Sequence, residues 1–377
     1  MNSIADSIYV SEEPVDKSWI VDQQLVAELN LSLYQLKIKN DSSESLALSQ
    51  LDQLFESLIA QVETPMENRF VSDIHEFCRA RLKEELRFKQ KLSPDQFRCW
   101  TNERIAYVAN LDPLYVSLLK FLTVFKRKHL EQRARQGLQK RTDLTVDSGI
   151  TIFLSSIVLE FAMRNAGVLE RLKLSFSNDL KVIGAALELS VSGSTWWRSS
   201  SKEFGGINTD YAHFDEAIES PKAIVYLSHV GSESGPTEFY PGLFESLGLT
   251  PLQELVSRVI GRVDNNRRLV FCKESQYSEI PSHATDFRSL LFRLPAELRF
   301  ISHFGWDVPE SHKLESEFIS KKNTVLGGPG TALIFDGGRV VHRGGLIRTG
   351  ERAVFQVVFG HNRSRFFRSV LSRLRRK

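Results

Sequence analysis

The chain has 377 residues, 42% hydrophobic and 25% charged, with a formal net charge of +3. That composition describes a folded globular protein with a sizeable core and excludes a disordered, collagenous or disulfide-stapled chain. No apolar run reaches the roughly 18 residues that a membrane-spanning helix needs; the nearest, Ile150 to Met163, contains Ser155, Ser156 and Glu160. Three widely spaced cysteines, Cys78, Cys99 and Cys272, lack metal-site spacing. With an acidic stretch from Met1 to Asp16 that has no basic-then-apolar pattern, they point to reduced thiols and a cytoplasmic setting.

From Trp19 to Arg141 the apolar residues recur at helical intervals. Phe70, Ile74, Phe77, Cys78 and Leu82 make one such stripe, with Asp73, Glu76 and Arg79 between them. Thr64-Pro65, Ser93-Pro94 and Asp112-Pro113 punctuate this half, and four to six helices are expected. Another helix should run from about Ser148 to Asn165, before Gly167. Leu180 to Val191 then turns to strand texture. Beyond it lie the short apolar run Ala223 to Leu227 and a turn from Gly235 to Gly242. The stretch Gly327 to Gly330 leads into a strand, Thr331 to Phe335, and Asp336-Gly337-Gly338 turns into a second strand. Leu243 to Asn323 reads as an inserted mixed segment. There is no internal repeat and no low-complexity region.

Four residues in the second half carry chemistry. His213 and Asp215 are two apart, so in a strand they share a face and can hold one ligand. Alone, such a pair is better read as a strand residue capping a turn, and the context that follows changes that. His342 follows in Val340-Val341-His342-Arg343-Gly344-Gly345, and Arg352 opens the run Ala353 to Phe359. Two imidazoles and a carboxylate can occupy one face of a ferrous ion and leave three positions for co-substrate and oxygen. An arginine ten residues beyond the second histidine can take a carboxylate as a bidentate pair.

The stretch from His213 to Phe359 resembles the Fe(II)- and 2-oxoglutarate-dependent oxygenases, particularly the phytanoyl-CoA dioxygenase-like branch. The matching pieces are His213-Phe214-Asp215, Ala223 to Leu227, Gly235 to Gly242, Gly330 to Phe335, His342 to Gly345, and Gly350 to Phe355. The resemblance implies that His213, Asp215 and His342 hold Fe(2+) and that Arg352 anchors the distal carboxylate of 2-oxoglutarate. It implies that O2 takes the last position, and that a small or medium-sized metabolite is oxidised as succinate and CO2 are released. Tyr226 is a candidate hydrogen-bond partner of the co-substrate or, alternatively, a buried packing residue. Halogenating relatives lack the carboxylate, so Asp215 favours a hydroxylase over a halogenase. The Ser-His that often follows the Pro-Gly turn in these enzymes is absent after Pro241-Gly242.

The expected fold class is α+β: a jelly-roll barrel, or double-stranded β-helix, with a helical N-terminal half. The expected divisions are a helical region, 1–145, and an oxygenase domain, 146–360, with its insertion at about 243–323. A basic amphipathic tail, 361–377, closes the chain. Phe366, Phe367, Val370, Leu371 and Leu374 stripe that tail beside seven cations from Arg363 to Lys377. It can dock on the protein's own core or touch an anionic membrane surface peripherally. No nucleic-acid partner is expected, because the basic run Lys126 to Arg141 has neither interleaved aromatics nor a recognition motif. His229, His283 and His303 read as ordinary surface or core histidines. Arg339 and Arg343, flanking His342, could meet an anionic substrate or face solvent, and Trp196 to Ser201 reads as a loop over the site. A ligand-binding protein without turnover and a cupin-like metal-dependent isomerase remain open; the latter leaves Arg352 without a task.

Overall fold

Prolines open the longer helices and glycines mark the strand ends, so the punctuation seen in the sequence recurs as element boundaries. The structure is a computed structural model and describes residues 18–38, 44–102, 105–135, 145–146, 149–176, 180–191, 221–260, 293–298, 315–345 and 347–361. In chain order the first elements are α1 (Gln23–Ile38), α2 (Glu44–Ile59), α3 (Pro65–Gln90), α4 (Pro94–Asn102), β1 (Ala106–Asn110), α5 (Pro113–Arg135) and β2 (Thr145–Val146). Next come α6 (Ile150–Asn165), α7 (Val168–Lys173), β3 (Lys181–Val191), β4 (Lys222–Tyr226), β5 (Thr237–Tyr240), α8 (Leu243–Leu247) and α9 (Pro251–Ile260). The last are α10 (Glu315–Lys321), β6 (Asn323–Val325), β7 (Thr331–Phe335), β8 (Val341–Gly344) and β9 (Glu351–Gly360). No helix among the described residues is long and apolar enough to cross a membrane.

The chain forms two compact units, and α1, α2, α3, α8, α9 and α10 belong to the first. Helix α3 starts on a capping box. Thr64 Oγ1 accepts from the Glu67 amide at 3.2 Å, and the Glu67 carboxylate accepts from the Thr64 amide at 3.1 Å, so two of the helix's orphan donors are satisfied. The predicted stripe Phe70, Ile74, Phe77, Cys78 and Leu82 is buried against Leu51, Leu54 and Phe55 of α2 and Leu252, Leu255 and Val256 of α9. Part of the expected insertion thus completes a core begun by the N-terminal helices.

Glu67 also pairs with Arg293. Burial by itself raises the Glu67 carboxyl. The amides of Glu63 and Thr64 and the Arg293 guanidinium outweigh that effect and hold it below the ordinary value of 4.5. A depressed carboxyl stabilises the fold above its unfolded pKa, and the contribution is lost as pH falls through the folded one. Acid titration should therefore loosen this unit in the window below pH 4.5. Glu67→Gln should remove that part of the pH dependence, as followed by hydrogen exchange of the α3 amides.

The second unit contains α4 to α7 and strands β1 to β9. Its larger sheet has six antiparallel strands in the order β1-β7-β4-β9-β3-β2, and its smaller sheet three, in the order β6-β5-β8. This corrects the expected barrel. Among the described residues neither sheet closes on itself: β1 and β2 end the larger sheet, β6 and β8 end the smaller. Among the described residues, two isolated bridges, Val230 to Gly327 and Ser234 to Ile347, lie outside the named strands. The α+β class stands, as two open sheets with a helical first half.

Two local expectations also change. The helical first half includes a strand, β1, which pairs along its whole length with β7, from Ala106 opposite Phe335 to Asn110 opposite Thr331. The Gly235 to Gly242 turn contains β5, whose four residues are all buried.

Alternation along the strands gives the larger sheet two unlike faces. Leu187, Leu189, Ala353, Phe355, Val357 and Phe359 share one face, and α5 and α6 pack on β3. The other face carries Glu188, Ser190, Arg352, Val354 and Gln356. There Tyr226, Leu333, Phe335 and Val354 form one buried cluster with Phe239 and Val325 of the smaller sheet.

Candidate active site

His342 lies on β8 opposite Phe239 of β5, and its side chain is buried, with 8% of the residue exposed. Its Nδ1 lies 3.0 Å from the Val340 carbonyl. A carbonyl only accepts, so Nδ1 donates in this bond; in the neutral imidazole that leaves the lone pair on Nε2, the form in which a histidine binds a metal. The ring stands tilted against Phe335, with centroids 4.5 Å apart.

Arg352 enters the same interior from β9. Its Nη1 donates to the Gly235 carbonyl at 2.8 Å and its Nη2 to Glu188 Oε1 at 3.2 Å. Its Nε, although buried, has no acceptor among the described residues. The guanidinium rests against Gly344, where an added Cβ would stand 3.1 Å from both Nη1 and Nη2. Gly344 is two residues beyond His342 on β8 and thus on the same face, about 7 Å along the strand. The structure therefore brings His342 and Arg352 together. Gly235, at φ 73°, would place a Cβ 2.3 Å from Ile347 Cγ1, so the carbonyl that receives Arg352 depends on a position without a side chain.

Beside Arg352 stands a group that the sequence reading missed. Glu188 and Ser190 on β3 face Val354 and Arg352 on β9. Glu188 accepts from Arg352, from Ser190 Oγ at 3.1 Å and from Gln356 Nε2. The side chains of Arg352 and Glu188 are only 6% and 2% exposed, so the ion pair is shielded from solvent. The signal was present in Leu187-Glu188-Leu189-Ser190, where alternation sets both polar residues opposite the leucines.

Tyr226 is fully buried. Its hydroxyl donates to the Val325 carbonyl and accepts from the Thr237 amide, both at 2.9 Å, which joins the two sheets. Burial pushes its phenol above the usual tyrosine range, against the opposing influences of Thr237 and the Arg352 charge. Arg343, on the opposite face of the smaller sheet from His342, is 2.6 Å from Glu238 Oε2. Arg339 is not solvent-facing: it is buried, donates to the Trp100 carbonyl and lies over the Trp100 ring at 4.3 Å. His229 is exposed.

His213 and Asp215 lie outside the described residues, as do Trp196 to Ser201, Cys272, His283, His303 and the tail from 362 onward. Among the described residues no group of three or more His, Cys, Asp or Glu is placed to hold a metal. The residues present fit a small carboxylate near His342 on one count: the buried Arg352 Nε has no acceptor among the described residues, while Nη1 and Nη2 are held by Gly235 and Glu188.

No protein-family model matches the chain, and no curated protein does. Among solved structures, EctD from S. alaskensis with 2-oxoglutarate and 5-hydroxyectoine is similar at 12% identity and a TM-score of 0.34, over 72% of this chain and 76% of that one. HygX from Streptomyces hygroscopicus with nickel and 2-oxoglutarate bound is similar at 13% identity and a TM-score of 0.33, over 71% of this chain and 86% of that one. The non-heme alpha ketoglutarate dependent epimerase SnoN from nogalamycin biosynthesis gives 13% and 0.31, over 72% and 81%. At such identities and TM-scores none of the three decides the fold or the activity of this chain.

Proposed function

We propose that this protein is an Fe(II)- and 2-oxoglutarate-dependent oxygenase of the phytanoyl-CoA dioxygenase-like branch, oxidising a small or medium-sized metabolite. The supporting observation is the convergence of a buried histidine whose Nδ1 donates to a backbone carbonyl and a buried arginine with an unfilled donor on one interior face. His213, Asp215 and His342 are the proposed iron ligands, and Arg352 the proposed carboxylate anchor. Bound iron would supply the redox chemistry that couples O2 and 2-oxoglutarate to substrate oxidation, with succinate and CO2 released. The chain's own work is positional. The Val340 carbonyl fixes the tautomer and tilt of His342. Gly235 and Glu188 aim the Arg352 guanidinium. Phe239, Phe335 and Leu333 keep water from this interior. Asp215 supports hydroxylation over halogenation.

A second reading, a ligand-binding protein without turnover, draws on one observation: Glu188 already compensates the Arg352 charge. Oxygen-dependent succinate formation from 2-oxoglutarate, assayed with ferrous iron and a panel of small metabolites, separates the two. Succinate above the protein-free rate supports the oxygenase. Binding of 2-oxoglutarate without succinate supports the second reading.

A further inference from the structure

Helices α5 and α6 pack against each other and on β3, yet both turn large apolar side chains outward. On α5 these are Leu114, Leu118, Phe121 and Phe125, with Phe121 at 75% and Phe125 at 80% exposure. On α6 they are Ile150, Leu154 and Phe161. The positions recur at steps of four, three and four along α5 and fit the same heptad on α6, so each helix carries one straight stripe. The inward stripes, Val116, Leu119, Thr123 and Leu130 on α5 and Ile152, Leu159 and Met163 on α6, are already buried. The outward stripes are thus a second apolar face, and α6 is apolar nearly all round, as expected of a helix covered on both sides.

Taking about 200 Å² for each fully exposed side chain, the seven residues present roughly 800 Å² of apolar surface. The largest patch on an ordinary monomer is about 300–600 Å², whereas a standard protein interface buries about 800 Å² per partner. The charges at the two ends of the α5 stripe also differ. Asp112, which accepts the Leu114 amide at 2.8 Å, precedes it, and exposed Lys128 follows Phe125 on the same face. Antiparallel packing of α5 on a symmetry mate would bring Phe121 near the axis and set Asp112 of each copy towards Lys128 of the other. A lipid surface would need neither the heptad spacing nor an acid at one end.

We propose that the outward face of α5 and α6 is the docking surface for a second copy of this chain, in an isologous helical interface centred on Phe121. The full-length protein should sediment at twice the chain mass at micromolar concentration. Phe121→Glu with Phe125→Glu on α5, and separately Phe161→Glu on α6, should each give a monomer with unchanged far-UV circular dichroism. In the unsubstituted protein, hydrogen exchange of the exposed α5 stripe should slow as concentration rises through the dimerisation range. A monomer throughout that range, whether or not it floats with anionic vesicles, would overturn the proposal. So would a dimer that survives both sets of charged variants, or one that forms without protecting α5.

Discussion

Arg352→Met should destabilise the β3–β9 ladder by about 3–5 kcal/mol, because it leaves the Glu188 carboxylate buried without its countercharge. The side chain of Glu188 is 2% exposed, and the partners left to it are Ser190 and Gln356, which donate hydrogen bonds but carry no charge. Adding Glu188→Gln to the Arg352→Met background should recover most of the loss, since the stranded charge is then gone. Hydrogen exchange of the amides between Lys181 and Val191 reads this locally and avoids treating a two-unit chain as one transition. If Arg352→Met alone leaves these amides as protected as in the wild type, the Arg352–Glu188 pair is not formed in solution.

His342→Ala should lower iron-dependent succinate formation by more than ~100-fold, because outer partners of metal ligands alone are worth about 10–100-fold and a ligand should exceed them. Parallel losses in His213→Ala and Asp215→Ala are expected of a ligand set acting as a unit. His342→Phe gives the control for packing, since an apolar ring can stay against Phe335 while the Nε2 lone pair is lost. It should match His342→Ala in turnover and come closer to the wild type in melting temperature. Turnover retained in either variant would remove His342 from the proposed ligand set.

His342 and Arg352 were legible because each stands at the edge of a short apolar run bounded by glycine turns, and these runs became β8 and β9. Their convergence was only compatible with the sequence: Gly344-Gly345 and Thr349-Gly350 break the strand parity between them. The site was completed by cross-strand neighbours. Glu188 meets Arg352 across a separation of 164 residues, and a polar residue in an alternating strand has no local mark of its partner. Strand β1 was hidden for a related reason. Its five residues, partly buried or exposed, sit between two proline-started helices, and only pairing with β7 makes them a strand. Barrel closure is a further non-local property, decided by which edges pair, and the strand order among the described residues leaves both sheets open. The helical cores were easier to read, since the stripe on α3 and the punctuation at Thr64-Pro65 and Ser93-Pro94 are local signals.

The most direct test is an anaerobic titration of the full-length protein with ferrous iron and 2-oxoglutarate, watching for the visible charge-transfer band of a metal-bound 2-oxo acid. The band should appear only when iron and 2-oxoglutarate are both present and saturate at one iron per chain. Arg352→Lys should need about 100-fold more 2-oxoglutarate to reach it, because a lysine ammonium has no counterpart of the Nε donor that stands unfilled beside the Gly235 and Glu188 bonds. No band at saturating iron and 2-oxoglutarate, or a band equally easy to form in Arg352→Lys, would contradict a shared site at His342 and Arg352.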